Sequence, residues 1–126
     1  MKLSTRISLV AVLLVSGVSA QADCVYKEAP KDLPNGATST KEQMLVAQTS
    51  IKEYSKDVQE VYLPCLEKDK TEAVAKLDAT DPEYAQKKTA IESVHAKKHN
   101  AALDEVTAIA TRWSEEIKAF TAAQKK

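Results

Sequence analysis

Glycine is almost missing from this chain of 126 residues: Gly17 and Gly36 are the two examples, and Gly17 lies in an apolar segment near the start. A Rossmann fold, a P-loop and a hairpin-rich β-domain all need glycine where the backbone takes positive φ or closes on a ligand, so the composition argues against each. Aromatic residues are scarce as well, at 5%. A dominant charge is also lacking, since 18 basic residues face 18 acidic ones. Interleaved signs with no net excess give no electrostatic footprint for nucleic acid or for an anionic membrane surface. What is present in quantity is Ala, Lys, Glu, Gln and Leu, with 29% of residues charged. That is the composition of long solvated helices.

Residues 1–22 have the three parts of a secretory signal: a basic start with Lys2 and Arg6, an apolar run from Ile7 to Val18, and a small-residue end. Ala20-Gln21-Ala22 fits cleavage before Asp23, and Val18-Ser19-Ala20 offers a second site before Gln21. The apolar run is far short of the roughly 20 residues that a membrane-spanning helix needs. The expectation is therefore a periplasmic or secreted chain with no membrane insertion after cleavage. Cys24 stands near the cleavage region, but no leucine lies three residues before it and Asp23 directly precedes it, which argues against lipidation. Loss of Lys2 and Arg6 leaves 16 basic against 18 acidic residues, a net charge of −2.

Residues 23–39 read as an irregular arm containing Pro30 and the turn signal Pro34-Asn35-Gly36. Residues 40–126 read as a helical domain. Ser39-x-x-Glu42 and Thr40-x-x-Gln43 both fit a capping box, so the first helix begins near Thr40. Met44, Ala47, Ile51, Tyr54, Val58, Val61 and Cys65 then recur at alternating steps of three and four, which is a coiled-coil-like seam. Pro64 interrupts that pattern and predicts a kink or break over residues 60–64. Beyond Leu66 the pattern is compatible with a solvated continuation or a separate short helix. Asp81-Pro82-Glu83 marks the start of a second long helix, with Asp81 as N-cap and Pro82 at the first helical position. Ile91, Val94, Ala102, Val106, Ile109, Trp113, Ile117 and Phe120 carry its seam towards Ala123. The expected fold is all-α: a long antiparallel hairpin, two helices or three if broken at Pro64, with the arm clamped along it. Pairing positions across the turn sets Ile51 against Ile109, Tyr54 against Val106, Val58 against Ala102, and Cys65 against Val94 and His95. Two helices bury one seam each, which is marginal, so a third layer or a partner is needed.

An even cysteine count in an exported chain is first read as a disulfide, and Cys24 and Cys65 allow one pairing. The arm is long enough to run back along the first helix and close that bond, with Val25, Tyr26 and Leu33 available to cover the helices. A different use is open to the two histidines. His95 and His99 stand four apart on one helical face, and Glu92 lies three residues before His95, which is the spacing of metal ligands on helices. Cys24, Cys65, His95 and His99 together form a further, four-ligand alternative for zinc. Lys97 and Lys98 alongside count against both, and the plainer reading makes the histidines polar shoulders of the seam. Asp104-Glu105 and Glu115-Glu116 are adjacent acids that point apart on a helix and read as solvated. Tyr54, Tyr62 and Trp113 read as core.

Cys24, Pro30, Pro34-x-Gly36, Met44, Tyr54 and Tyr62-Leu63-x-Cys65-Leu66 resemble small exported helical proteins of Gram-negative proteobacteria with two cysteines and a Tyr-Leu-x-Cys-Leu helix. The resemblance covers residues 24–66 and implies a periplasmic or secreted location and no activity. Pro64 departs from the unbroken helix expected of that group. The chain offers few shaped loops for oxyanion donors or a nucleophile and its base, so the expectation is a non-enzyme without a cofactor. The leading functional expectation is a scaffold, adaptor or chaperone-like protein that contacts an unidentified protein partner or a second copy. The alternative is a metal-binding protein using His95, His99 and Glu92. A lone disulfide also permits a redox-reporting role, without a positive signal for it.

Intact mass of the exported protein, with thiol alkylation before and after reduction, tests the reading of compartment and clamp together. The expected chain begins at Asp23 or Gln21 and takes up alkylating groups only once reduced. An intact residue 1, or two thiols alkylated without reduction, would overturn it.

Overall fold

A computed structural model describes residues 23–126, and the signal expected over residues 1–22 lies outside the described residues. Among the described residues there are helices and no strand. Thr40 caps α1 (Lys41–Asp57) through a complete capping box: its Oγ1 accepts from the Gln43 N–H at 3.2 Å, and the Gln43 Oε1 accepts from the Thr40 N–H at 2.8 Å. Both orphan donors are thereby satisfied, which is why the helix starts here and not at Ser39.

The helix does not end at Pro64. After α1 the chain makes a π-helical turn over Val58–Tyr62 and continues as α2 (Leu63–Ala75), with Asp57, Val58 and Leu63 all right-handed helical. Within that turn the Leu63 N–H reaches back five residues to the Val58 carbonyl. Proline lacks an N–H and its ring crowds the carbonyl four residues earlier, so an α-helical turn at this point would clash at Glu60. The extra residue widens the turn, and Pro64 then stands near the first position of the renewed α-helix, where a missing N–H is tolerated. The irregularity expected over residues 60–64 thus takes the form of a bulge inside a continuous helix.

The bulge also moves the seam. Val61, placed in the core by the three-four rhythm, is 58% exposed, while Tyr62 and Leu66 are buried in the places expected for Val61 and Cys65. One inserted residue turns the following side chains by about 100°, which swaps each seam position for its successor.

The link at residues 76–83 is organised by two aspartates. Asp78 Oδ1 accepts from the Thr80 N–H and hydroxyl, and Asp81 Oδ1 accepts from the Glu83 N–H at 2.8 Å. Asp81, expected as the N-cap, instead organises the turn before the helix: its carbonyl accepts from the Tyr84 N–H at 2.9 Å, the N-cap falls at Glu83 with no side-chain cap, and α3 (Tyr84–Gln124) begins two residues later than expected at Pro82. At about 1.5 Å per residue α3 is close to 60 Å long, and it runs back along α2 and α1.

The arm supplies the third layer. The Cys24–Cys65 disulfide ties its start to the beginning of α2, with a Cα–Cα distance of 5.7 Å. From there it runs antiparallel to α1 in extended form, so that Cys24 and Tyr26 turn inward while Val25, expected to help cover the helices, is 81% exposed. Cys24, Tyr26, Ala29 and Leu33 pack on the buried cluster of Ile51, Tyr54, Val58, Tyr62, Leu66, Ala102 and Ile109. The Tyr26 and Tyr62 rings meet edge to face with centroids 4.9 Å apart. Closing a loop of 41 residues in the unfolded chain contributes about 4 kcal/mol on the chain-entropy account. Val94 and Ile117, expected in the seam of α3, are exposed. His95 and Glu116 occupy the neighbouring seam positions, each with a hydrogen-bond partner.

Gly36 ends the arm against α3. Its φ is not positive, so the turn does not need glycine for backbone conformation. What needs it is space: a Cβ at this position would lie 1.9 Å from the Glu116 carbonyl oxygen and 2.9 Å from the Phe120 nitrogen. The Gly36 N–H meanwhile donates to Glu116 Oε2 at 2.7 Å. Gly36→Ala is expected to lift the arm tip from α3 and cost about 1–3 kcal/mol in urea unfolding of the oxidised protein. Unchanged stability would mean that the tip is not seated there.

Candidate functional site

Three places on this scaffold gather polar or apolar side chains that the helical ladders do not require. The first is where arm, α1 and α3 meet. Tyr26 donates its hydroxyl proton to the Glu105 carboxylate, and the Tyr54 hydroxyl, 2.6 Å away, is left to donate to Tyr26. Burial pushes the Tyr26 hydroxyl far above the ordinary tyrosine range, with the bonds to Glu105 and Tyr54 adding to it. Burial also raises Tyr54, against the effect of its bond to Tyr26 and with some help from the Glu105 charge. Both hydroxyls are held protonated, and the cluster ties arm, α1 and α3 together.

The second place is a groove of about 400 Å³ between α2 and α3, walled by Leu66, Glu67 and Lys70 on one side and by Glu92, His95 and His99 on the other. The three residues singled out as metal ligands therefore share one groove. His95, with a side chain only 11% exposed, has Nδ1 2.8 Å from the Ile91 carbonyl and Nε2 2.8 Å from Asp69 Oδ2. Both ring nitrogens thus face a protein oxygen at hydrogen-bond distance, which turns them away from the open groove. Glu92 lies 3.8 Å from Lys88, and the His99 Nδ1 is 3.5 Å from Asn100 Oδ1. Among the described residues no three His, Cys, Asp or Glu side chains are gathered to hold a metal ion. The four-ligand alternative is overturned on chemistry, because Cys24 and Cys65 are bonded to each other and have no thiolate to give. His95 also faces Asp69, one turn beyond the expected Cys65, and the inserted π residue accounts for one residue of that slip.

The third place is a groove of about 540 Å³ between the arm and the first half of α1. Pro30, Leu33, Pro34, Val46 and Ala47 give it an apolar lining, with Asp32 and Glu42 among the polar residues at its edge. Val46 is 68% exposed and its neighbour Leu45 51%.

No family model, curated protein or solved structure matches the chain. Sequence reasoning placed Cys24, Cys65, His95, His99 and Glu92 but missed Glu105, Asp69 and Glu116. Glu105 and Glu116 are each one member of an adjacent acid pair read as solvated, and each turns to the arm instead. Tyr26 carried a usable signal, since it lies two residues from Cys24 and an extended chain sets alternate residues on one side.

Raised tyrosines make a pH prediction. The native state keeps protons that the unfolded chain loses above its ordinary tyrosine value of 10.0, so stability is full below that pH and falls as pH rises past it. Urea unfolding from about pH 8 to about pH 11.5 is expected to show this decline, and Tyr26→Phe, though less stable near neutrality, to show a shallower one. Parallel slopes in the two proteins would remove the tyrosine cluster as the cause.

Proposed function

We propose that this protein is an exported, non-enzymatic helical contact protein, a scaffold, adaptor or chaperone-like module of the periplasm or the exterior that presents the arm and α1 to a protein partner. The observation that carries this reading is the position of the exposed apolar surface. The seam between the helices is already covered by the arm, yet Val46 and Leu45 remain exposed, with Val46 lining a groove that Pro30, Leu33 and Pro34 complete. Isolated exposed apolar side chains are ordinary, whereas a contiguous apolar groove on a chain whose core is complete is typical of a contact surface.

Other features support the same reading. A disulfide persists in oxidising compartments, and no helix of the described residues is long and apolar enough to cross a membrane. The polar clusters are committed to holding elements together: the tyrosine hydroxyls stay protonated and the ring nitrogens of His95 are engaged. Nothing in either cluster is arranged as a nucleophile beside its base.

A photo-crosslinking amino acid at position 46, with a second protein carrying it at position 76 in the exposed link after α2, tests the proposal in the native compartment. Discrete adducts from position 46 and none from position 76 are expected. No adduct at position 46, or equal adducts at both, would sink it, and an adduct of twice the chain mass would identify a second copy as the partner.

A further inference from the structure

Resting on the contact reading above, we infer that the groove between the arm and α1 receives a peptide segment of another protein in which apolar side chains are flanked by lysine or arginine. The apolar part of the argument is the lining of Pro30, Leu33, Pro34, Val46 and Ala47. The charged part is what stands around it. Asp32 comes from the arm and Glu42 from α1, and no lysine, arginine or histidine lines the groove.

Elsewhere on the hairpin, acids are commonly matched within the chain. Glu60 lies 3.8 Å from Lys56, Glu72 3.8 Å from Lys68 and Glu92 3.8 Å from Lys88, each one helical turn away. Glu42 has no such lysine, because the residue four before it is Thr38 and the residue four after it is Val46, exposed in the groove itself. On the arm, Lys31 is engaged with Glu28 at 2.7 Å and also feels the charge of Asp32 beside it, so one cation serves two acids and the three carry a net charge of −1. Glu42 has the positive end of the α1 dipole to face, and Asp32 has only the Lys31 that Glu28 already holds, so the rim keeps a net negative field. A segment that fills the floor with leucine-like side chains and brings a cation to the rim satisfies both features at once. The same field disfavours an anionic lipid surface or a nucleic acid.

A second copy is the competing occupant, because α3 exposes Val94 with Lys97 and Lys98 one turn further on. The contact would be head to tail, using different patches on the two copies.

The test uses the oxidised mature chain and fluorescent peptides of about 12 residues alternating leucine with lysine, compared with glutamate-for-lysine and serine-for-leucine versions. Fluorescence anisotropy is expected to show saturable binding of the leucine-lysine peptide and at least about ten-fold weaker binding of the other two. Val46→Ser, at an exposed position that leaves the core intact, is expected to weaken binding by about five-fold or more. Asp32→Lys combined with Glu42→Lys is expected to invert the preference towards the glutamate peptide, with circular dichroism confirming the helices. No saturable binding, or binding indifferent to the charge reversal, would overturn the inference. So would a dimer in light scattering that Val94→Asp abolishes and that excludes the peptide. If the peptides fail while photo-adducts from position 46 persist, the partner chemistry is wrong and the contact reading stands. If both fail, both fall.

Discussion

A pair of helices can bury one stripe each, and that limit governs the architecture of this protein. The buried cluster from Ile51 to Leu66 on one helix and Ala102 to Ile109 on the other is a single row of side chains. Left alone, such a row is wet along both edges. The Cys24–Cys65 bond removes the problem by forcing an irregular segment to lie beside the row, since it shortens the search that an untethered arm would make. Tyr26 then spans the gap: its ring stacks edge to face on Tyr62, and its hydroxyl reaches Tyr54 on α1 and Glu105 on α3. A second fastening at the far end, Gly36 against the backbone of α3, keeps the arm from peeling between its two attachments.

Pro64 shapes the other half of the design. A proline inside a helix ordinarily forces a choice between a kink and an end, and the five-residue turn before it supplies a third solution. Because a π turn adds a residue with little added length, it rotates everything that follows while keeping the helix intact. That rotation brings Tyr62 and Leu66 under the arm and leaves Cys65 on the shoulder, where its sulfur meets the sulfur of Cys24. Had the helix kept an unbroken α-helical phase, Val61 and Cys65 would point into the seam and the disulfide would have to be made from within it. The bulge and the clamp are therefore coupled.

Much of the fold was legible in the residues, for reasons that are local. The capping box at Thr40 and the three-four recurrence from Met44 to Val58 each depend on neighbours within a turn or two, and each is found, while the Asp81-Pro82 punctuation marks the turn before α3 and not its cap, which falls at Glu83. The single possible cysteine pairing made the clamp legible as well. What escaped was phase and pairing across the hairpin. Nothing in the run Val58 to Leu66 says whether Pro64 will be met by a kink or by an inserted residue, and the answer decides which of two adjacent side chains is buried. Polar partners were hidden in the same way: Asp69 meets His95 only in the realised register, and an adjacent acid pair does not declare which member turns towards the arm. Gly36 looked like a turn residue and does lie in a turn, but what demands glycine there is close approach to α3, which depends on α3 being there.

The same forces fix the character of the groove beside α1. Its walls are stiff: Pro30 and Pro34 have set φ values, Leu33 is packed on the core, and the start of α1 is held by Thr40 and Gln43, the latter also lining the groove. A surface held this way loses little freedom when something docks on it, so more of the contact energy appears as affinity. The arm cannot close over it, because its path is determined at one end by the sulfur of Cys65 and at the other by the backbone of Glu116. The fastenings that complete the core thus leave Val46 uncovered. An exposed apolar side chain on a rigid rim, in a groove lined by two acids and no basic residue, is then a direct consequence of how this short chain solves the problem of having only two helices.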